Sequence, residues 1–174
     1  YLPFRPKKKT RGTVARERGL EPLARAIQAG ELVMPAEDLA GPFVHPERDV
    51  ADVAAALAGA RDILTEEAAE SPEVRGLARR TMLESGELTA SVVESRKKAR
   101  SKYEAYYEFR EAVKVVPSHR YLAVRRGEKE GFLKLDIELD ETEILGALLG
   151  LLVTRDSHPY RETLEEAARD AWSR

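Results

Sequence analysis

DVADVAAALAGARDILTEEAA, residues Asp49 to Ala69, decides the fold class of this chain. Val50, Val53, Ala54, Leu57, Ala60 and Leu64 recur at three- and four-residue spacing, which lines them along one side of a helix and demands a cover. Outward from it, the helices are marked by their punctuation. Ser71-Pro72-Glu73 reads as cap, first-turn proline and first-turn acid of a helix that continues to about Leu83. Upstream, Pro22 and Gly30 bracket a helix from Glu21 to Ala29. A shorter helix begins at Thr10 or Thr13 and stops at Gly19. Residues 31–47 hold Pro35, Gly41, Pro42 and Pro46 and read as a connector with one helical turn near Glu37.

Downstream the period changes. From Phe132 to Asp140, Leu133, Leu135, Ile137 and Leu139 alternate with Lys134, Asp136, Glu138 and Asp140, the pattern of a half-buried strand. Its backbone needs a partner, and the valine- and threonine-containing run Leu88–Val93 is the candidate. The segment between is expected to hold a helix from about Arg96 to Phe109, a short one to Val115, and one capped by Ser118 and ended by Gly127. Asp140 and Glu143 resemble a capping box for a helix over 141–153, and a last helix runs from Pro159. Leu164, Ala167, Ala168, Ala171 and Trp172 make its apolar side. The expected architecture is mainly α: a basic extended arm over 1–12, then a multihelical domain over 13–174 with helix-turn-helix character and a minor two-stranded β element.

Composition narrows the function. The 174 residues are 43% hydrophobic and 34% charged, a globular balance. Cysteine is absent, which excludes disulfides, thiolate nucleophiles and cysteine-bound zinc and fits a cytoplasmic protein. The longest apolar run, Ile144 to Val153, is too short to span a bilayer. No phosphate-binding Walker loop, Gly-X-Gly-X-X-Gly or His-Glu-X-X-His occurs, so no cofactor and no catalytic residue is expected and the chain does not read as an enzyme. His45, His119 and His158 are scattered and fit local hydrogen bonding at loops. Ser118-His119 lacks a third triad member. Asp136, Glu138 and Asp140 share a strand face, but alternate positions lie about 7 Å apart, too far to converge on a metal. The chain starts at Tyr1 without methionine and stops inside a helical pattern, so it reads as an internal segment of a longer protein.

The net charge of −2 hides an asymmetry, because residues 1–18 carry seven basic side chains and one acid. Arg5, Lys7, Lys8, Lys9 and Arg11 lie on a proline-stiffened backbone, with Arg16 following and Tyr1 and Phe4 available to stack on a base. Such a run attracts phosphate; it also fits a solvated tail, or an arm that pairs with an acidic body. A second basic stretch, Arg96, Lys97, Lys98, Arg100 and Lys102, precedes Tyr103, Tyr106, Tyr107 and Phe109. Here Lys97, Lys98 and Arg100 are candidates for phosphate at a helix start, while the tyrosines fit core packing as well as base stacking. The helices at 141–153 and 159–172 could form a helix-turn-helix, but Glu162, Glu165, Glu166 and Asp170 suit an αα-hairpin better than a groove-reading element.

These segments together resemble the Tex family of transcription accessory proteins. The opening YLPFRPKKKTRGTVARERGLEPLA matches its aromatic-leucine-proline-aromatic run, basic string and Thr13, Ala15, Arg16, Glu17, Gly19, Leu20, Glu21, Pro22, Leu23 pattern. FVHPERDVADVAAALAGARDILTEEAAE, LESGELTASVV, KYEAYYEF and VPSHRYLAVRRGEKEGFLKLDIELD follow in the family's order. The resemblance implies part of an N-terminal helical region, placed before a nuclease-like fold, a helix-hairpin-helix module and an RNA-binding OB-fold. RNA or DNA, other domains of the same chain and the transcription machinery are the partners it implies. A structural module that packs on those domains without touching nucleic acid is the alternative.

Overall fold

A computed structural model gives the structure and describes residues 9–97, 100–153 and 157–173. The architecture is mainly helical with one small sheet, and the chain divides into two compact units. The first comprises Tyr1–Arg75 with Glu143–Arg174, the second Gly76–Thr142.

The first unit is built around α4 (Val53–Glu70). Asp52 starts this helix by accepting a 2.7 Å hydrogen bond from the Ala55 N–H. Asp49, where the apolar periodicity placed the start, instead turns the chain with a left-handed backbone at φ +58°. Helices α1 (Arg11–Glu17), α2 (Glu21–Ala29), α3 (Ala36–Ala40) and α8 (Arg161–Ser173) all pack on α4. Cover from several sides explains why its buried residues, Ala56, Ala60, Ile63, Leu64, Thr65 and Ala68, only partly coincide with the expected stripe. Ala60 and Leu64 are buried, Val53 and Leu57 are half-buried, and Ala54 is exposed. Leu20, Leu23, Ile27 and Leu164 complete the interior from α2, α8 and the turn before α2. In α7 (Thr142–Leu152), Ile144, Leu148 and Leu152 recur every four residues and are buried.

The second unit carries three antiparallel strands in the order β2–β1–β3. β1 (Glu87–Val92) pairs with β3 (Leu133–Glu138) with Ala90 opposite Leu135, which is the partnership the sequence pattern demands. The two-stranded expectation is corrected by a third strand, β2 (Glu108–Ala112), where a short helix was expected. Glu, Arg and Ala favour helix locally, but pairing with β1 supplies a hydrogen-bonded ladder that a lone five-residue helix lacks. The expected helix from Arg96 to Phe109 is likewise replaced by 3₁₀ turns at Glu94–Arg96 and Glu104–Tyr106. α5 (Pro72–Ser85) leads into this unit, and α6 (Ser118–Lys129) packs on β3. Leu88, Ala90, Tyr103, Val124 and Leu133 form its core.

Gly127 does not end α6 as expected. It is buried inside the helix, where a Cβ would stand 2.6 Å from Leu133 Cδ1 and 3.2 Å from Tyr103 Cδ1. Close approach of helix to strand requires glycine there, and the chain turns away only at Gly131, with φ +73°.

Candidate nucleic-acid interface

Arg5, Lys7 and Lys8, together with Tyr1 and Phe4, lie outside the described residues, as does Lys98. What is described begins at Lys9. Its Nζ stands 2.8 Å from Glu17 Oε2, one end of α1 to the other. Thr10 caps α1 by accepting from the Thr13 N–H, so the basic run enters a helix at Arg11. Arg11 follows in the first turn, with a side chain 73% exposed and its guanidinium 3.9 Å from Asp62 on α4.

Arg16 behaves differently. Its two terminal nitrogens donate to Glu66 at 2.7 Å and Glu67 at 3.1 Å, both on α4. Glu67 also takes both arms of Arg25 of α2, at 2.6 and 2.7 Å. The Glu66 hydrogen bond is the largest influence holding the Arg16 guanidinium above its ordinary value. The bidentate Arg25 contact comes first in holding Glu67 below the usual carboxylate range, with Arg16 adding to it. These pairs tie α1 and α2 to α4 and give Arg16 two carboxylate partners within the fold.

The second basic stretch does not form the helix start that its phosphate reading needed. Lys97 reaches Glu94 at 3.4 Å, within the 3₁₀ turn. Arg96 lies over the Phe132 ring, 5.2 Å from its centroid, and Lys102 pairs with Glu130 at 3.1 Å. Arg100 is exposed. The tyrosines take the packing alternative: Tyr103 is buried against Phe132 and Gly127, and Tyr106 meets Phe109 edge to face at 5.6 Å.

The acids of β3 and of the turn after it take separate partners. Glu138 and Glu87 both accept from Arg110, Asp136 accepts from the Ile137 N–H, and Asp140 caps α7 through the Thr142 N–H at 2.9 Å. Among the described residues no group of three or more such side chains could hold a metal ion. α8 buries Leu164, Ala167, Ala168 and Ala171, and Arg61 of α4 pairs with its Glu166. That leaves an acidic outer side on the element considered for groove binding.

His158 is a structural residue. Its Nδ1 accepts from the Tyr160 N–H at 3.2 Å, so the proton sits on Nε2, which donates to the Gln28 carbonyl at 2.9 Å. Tyr160 donates to the Leu32 carbonyl, and together they tie the turn before α8 to the end of α2.

Sequence reading missed the cations of α6. Arg125, Arg126 and Lys129 project from the helix side opposite Val124 and Gly127. A helical projection carried past Gly127 would have grouped them.

A family model described as Tex central region-like matches residues 33–173. The chain is 40% identical over 140 residues to "Protein tex" of Bordetella pertussis, across 80% of this chain and 18% of that protein. It is 38% identical over 146 residues to "Transcriptional accessory protein Tex" of Neisseria gonorrhoeae, across 83% and 19%. With the uncharacterized protein YdcI of Bacillus subtilis it shares 34% identity over 179 aligned residues, 100% of this chain and 24% of that one. The chain thus spans about a fifth of the length of these relatives.

Proposed function

This chain belongs to the Tex family, and on that premise we propose that it is a nucleic-acid-contacting scaffold segment of a cytoplasmic transcription accessory protein. It performs no chemistry itself. It meets the phosphate backbone of RNA or DNA through the basic arm, Arg5, Lys7, Lys8, Lys9 and Arg11, while α4 and its helices hold the arm's base. The observation that carries the reading is Arg11: exposed, at the first turn of α1, and held only loosely by Asp62. A cation in that state can exchange its intramolecular partner for phosphate at little cost, and bound counterions are released when it does. Arg16 anchors the base instead. Lys97, Lys98 and Arg100 of the second basic stretch, without the helix start expected for them, are secondary contacts in this reading through side-chain charge alone. No described helix is long and apolar enough to cross a membrane.

The test is fluorescence anisotropy of labelled single-stranded RNA and duplex DNA against the chain and against a variant with Lys7, Lys8, Lys9 and Arg11 changed to Glu. Binding that weakens steeply with salt and is lost in the variant supports the reading. Absence of binding to either ligand at low salt overturns it and favours a packing module for the other domains of the same protein.

A further inference from the structure

α6 shows its own unit one narrow side and solvent a broad one. Val124 and Gly127 are its buried residues. At 3.6 residues per turn, Leu122, Arg125, Arg126 and Lys129 fall on the opposite side, with Tyr121 at its edge. Leu122 is 61% and Tyr121 44% exposed.

The cations on this side are not used up within the fold. Arg120, nearer the sheet, reaches Glu111 of β2 at 2.8 Å. Arg125 pairs with Glu128 of its own helix and Arg126 interacts through space with Glu130, while among the described residues neither Arg126 nor Lys129 forms a salt bridge. The helix carries four Lys/Arg and one Glu. The unit Gly76–Thr142 holds 14 Lys/Arg against 12 Asp/Glu, while the rest of the chain holds 15 against 19. So α6 is a concentration of positive charge on the one unit with a positive balance.

The fold-internal explanation falls short. The helix dipole favours cations in the last turn and accounts for Arg126 and Lys129. It gives no reason for exposed Leu122 one turn earlier, in line with them. Crowding three cations within five residues also works against the helix through like-charge repulsion. Arginine forks match phosphate oxygens, and a helix about 10–12 Å across fits a duplex major groove about 12 Å wide. In that setting Leu122 and Tyr121 supply apolar contact to sugars or a thymine methyl group. An acidic protein surface would meet the same charge but leaves the fit to a groove unused.

We propose that the outward side of α6, through Arg125, Arg126 and Lys129, is a second phosphate-contacting surface that seats on a nucleic-acid duplex. The inference rests on the nucleic-acid reading of this chain but not on the arm. The experiment measures binding of a labelled 20-base-pair DNA duplex and a single-stranded RNA of equal length across salt. It compares the whole chain, the arm variant, an α6 variant with Arg125→Glu, Arg126→Glu and Lys129→Glu, and both sets combined. The α6 variant should weaken duplex binding at least tenfold and flatten the slope of log affinity against log salt by about 2 to 3. It should do so in the arm-variant background too, and more on the duplex than on the single strand. A companion with the three residues changed to Gln, checked by circular dichroism, should show a smaller loss in the same direction. Duplex affinity within twofold of the parent and an unchanged slope in both backgrounds would overturn the inference, while loss in the arm variant alone would leave the arm reading intact. Loss in the α6 variant alone would do the reverse. Equal loss on both ligands would overturn the duplex assignment.

Discussion

At the scale of single residues, one charge type does two jobs. Arg16 and Arg11 share a helix, yet Arg16 is locked to Glu66 and Glu67 while Arg11 stands in solvent. No sequence rule separates them, because their partners lie on α4, some fifty positions away. Arg16→Ala should cost about 1.5–3 kcal/mol of stability, read by urea denaturation, since it removes two charge-assisted hydrogen bonds. Arg11→Ala should leave stability within about 0.5 kcal/mol. The depressed carboxyl of Glu67 sets a pH dependence. Its contribution is complete above the unfolded glutamate value, about 4.3, and is lost as pH falls through the lower folded value. Glu67→Gln should therefore flatten the acid side of a melting-temperature profile and leave its shape above pH ~5 unchanged. A steep acid limb in that variant would assign the loss to other carboxylates. The local bond expected of His158 is the one from the Tyr160 N–H, and a second, to the Gln28 carbonyl, fastens the turn before α8 to the end of α2. His158→Ala should cost roughly 2–3 kcal/mol, because it leaves the buried Tyr160 N–H unpaired.

At the scale of elements, legibility followed punctuation. α2 was read to the residue because Pro22 sits in its first turn and Gly30 adopts the left-handed cap at φ +58°. The β1–β3 pairing was legible because alternation in Leu133–Leu139 leaves a strand whose backbone must find a neighbour. β2 was not legible, since a Glu-Phe-Arg-Glu-Ala run becomes a strand only through the ladder that β1 offers. The α4 stripe was half legible because helices on several sides cover more of it than one stripe. Gly127 misled for a physical reason: glycine ends helices often, but it also lets a helix approach a strand. Gly127→Val should destabilise the chain by about 1–3 kcal/mol in thermal or urea unfolding, as the added side chain has to displace Leu133 and Tyr103. An unchanged midpoint would show that the close approach does not constrain the packing.

At the scale of the whole molecule, charge distribution says more about function than net charge. A net charge of −2 covers a basic segment at one end, an acidic balance in the first unit and a positive one in Gly76–Thr142. The arm was visible in sequence because its cations are adjacent. The α6 surface was not, because Gly127 read as the end of the helix and so split Lys129 from Arg125 and Arg126, which share a side only when the helix runs through it. Family membership was legible from collinear segments, none of which is specific alone, and the family match covers residues 33–173. The central claim is that this segment meets nucleic acid through phosphate contacts. It is tested most directly by the affinity of the whole chain for single-stranded RNA at about 50 and about 200 mM salt. With some five arm contacts, affinity should fall roughly a hundredfold between the two. No binding at the lower salt, or binding that ignores the change, would contradict the account.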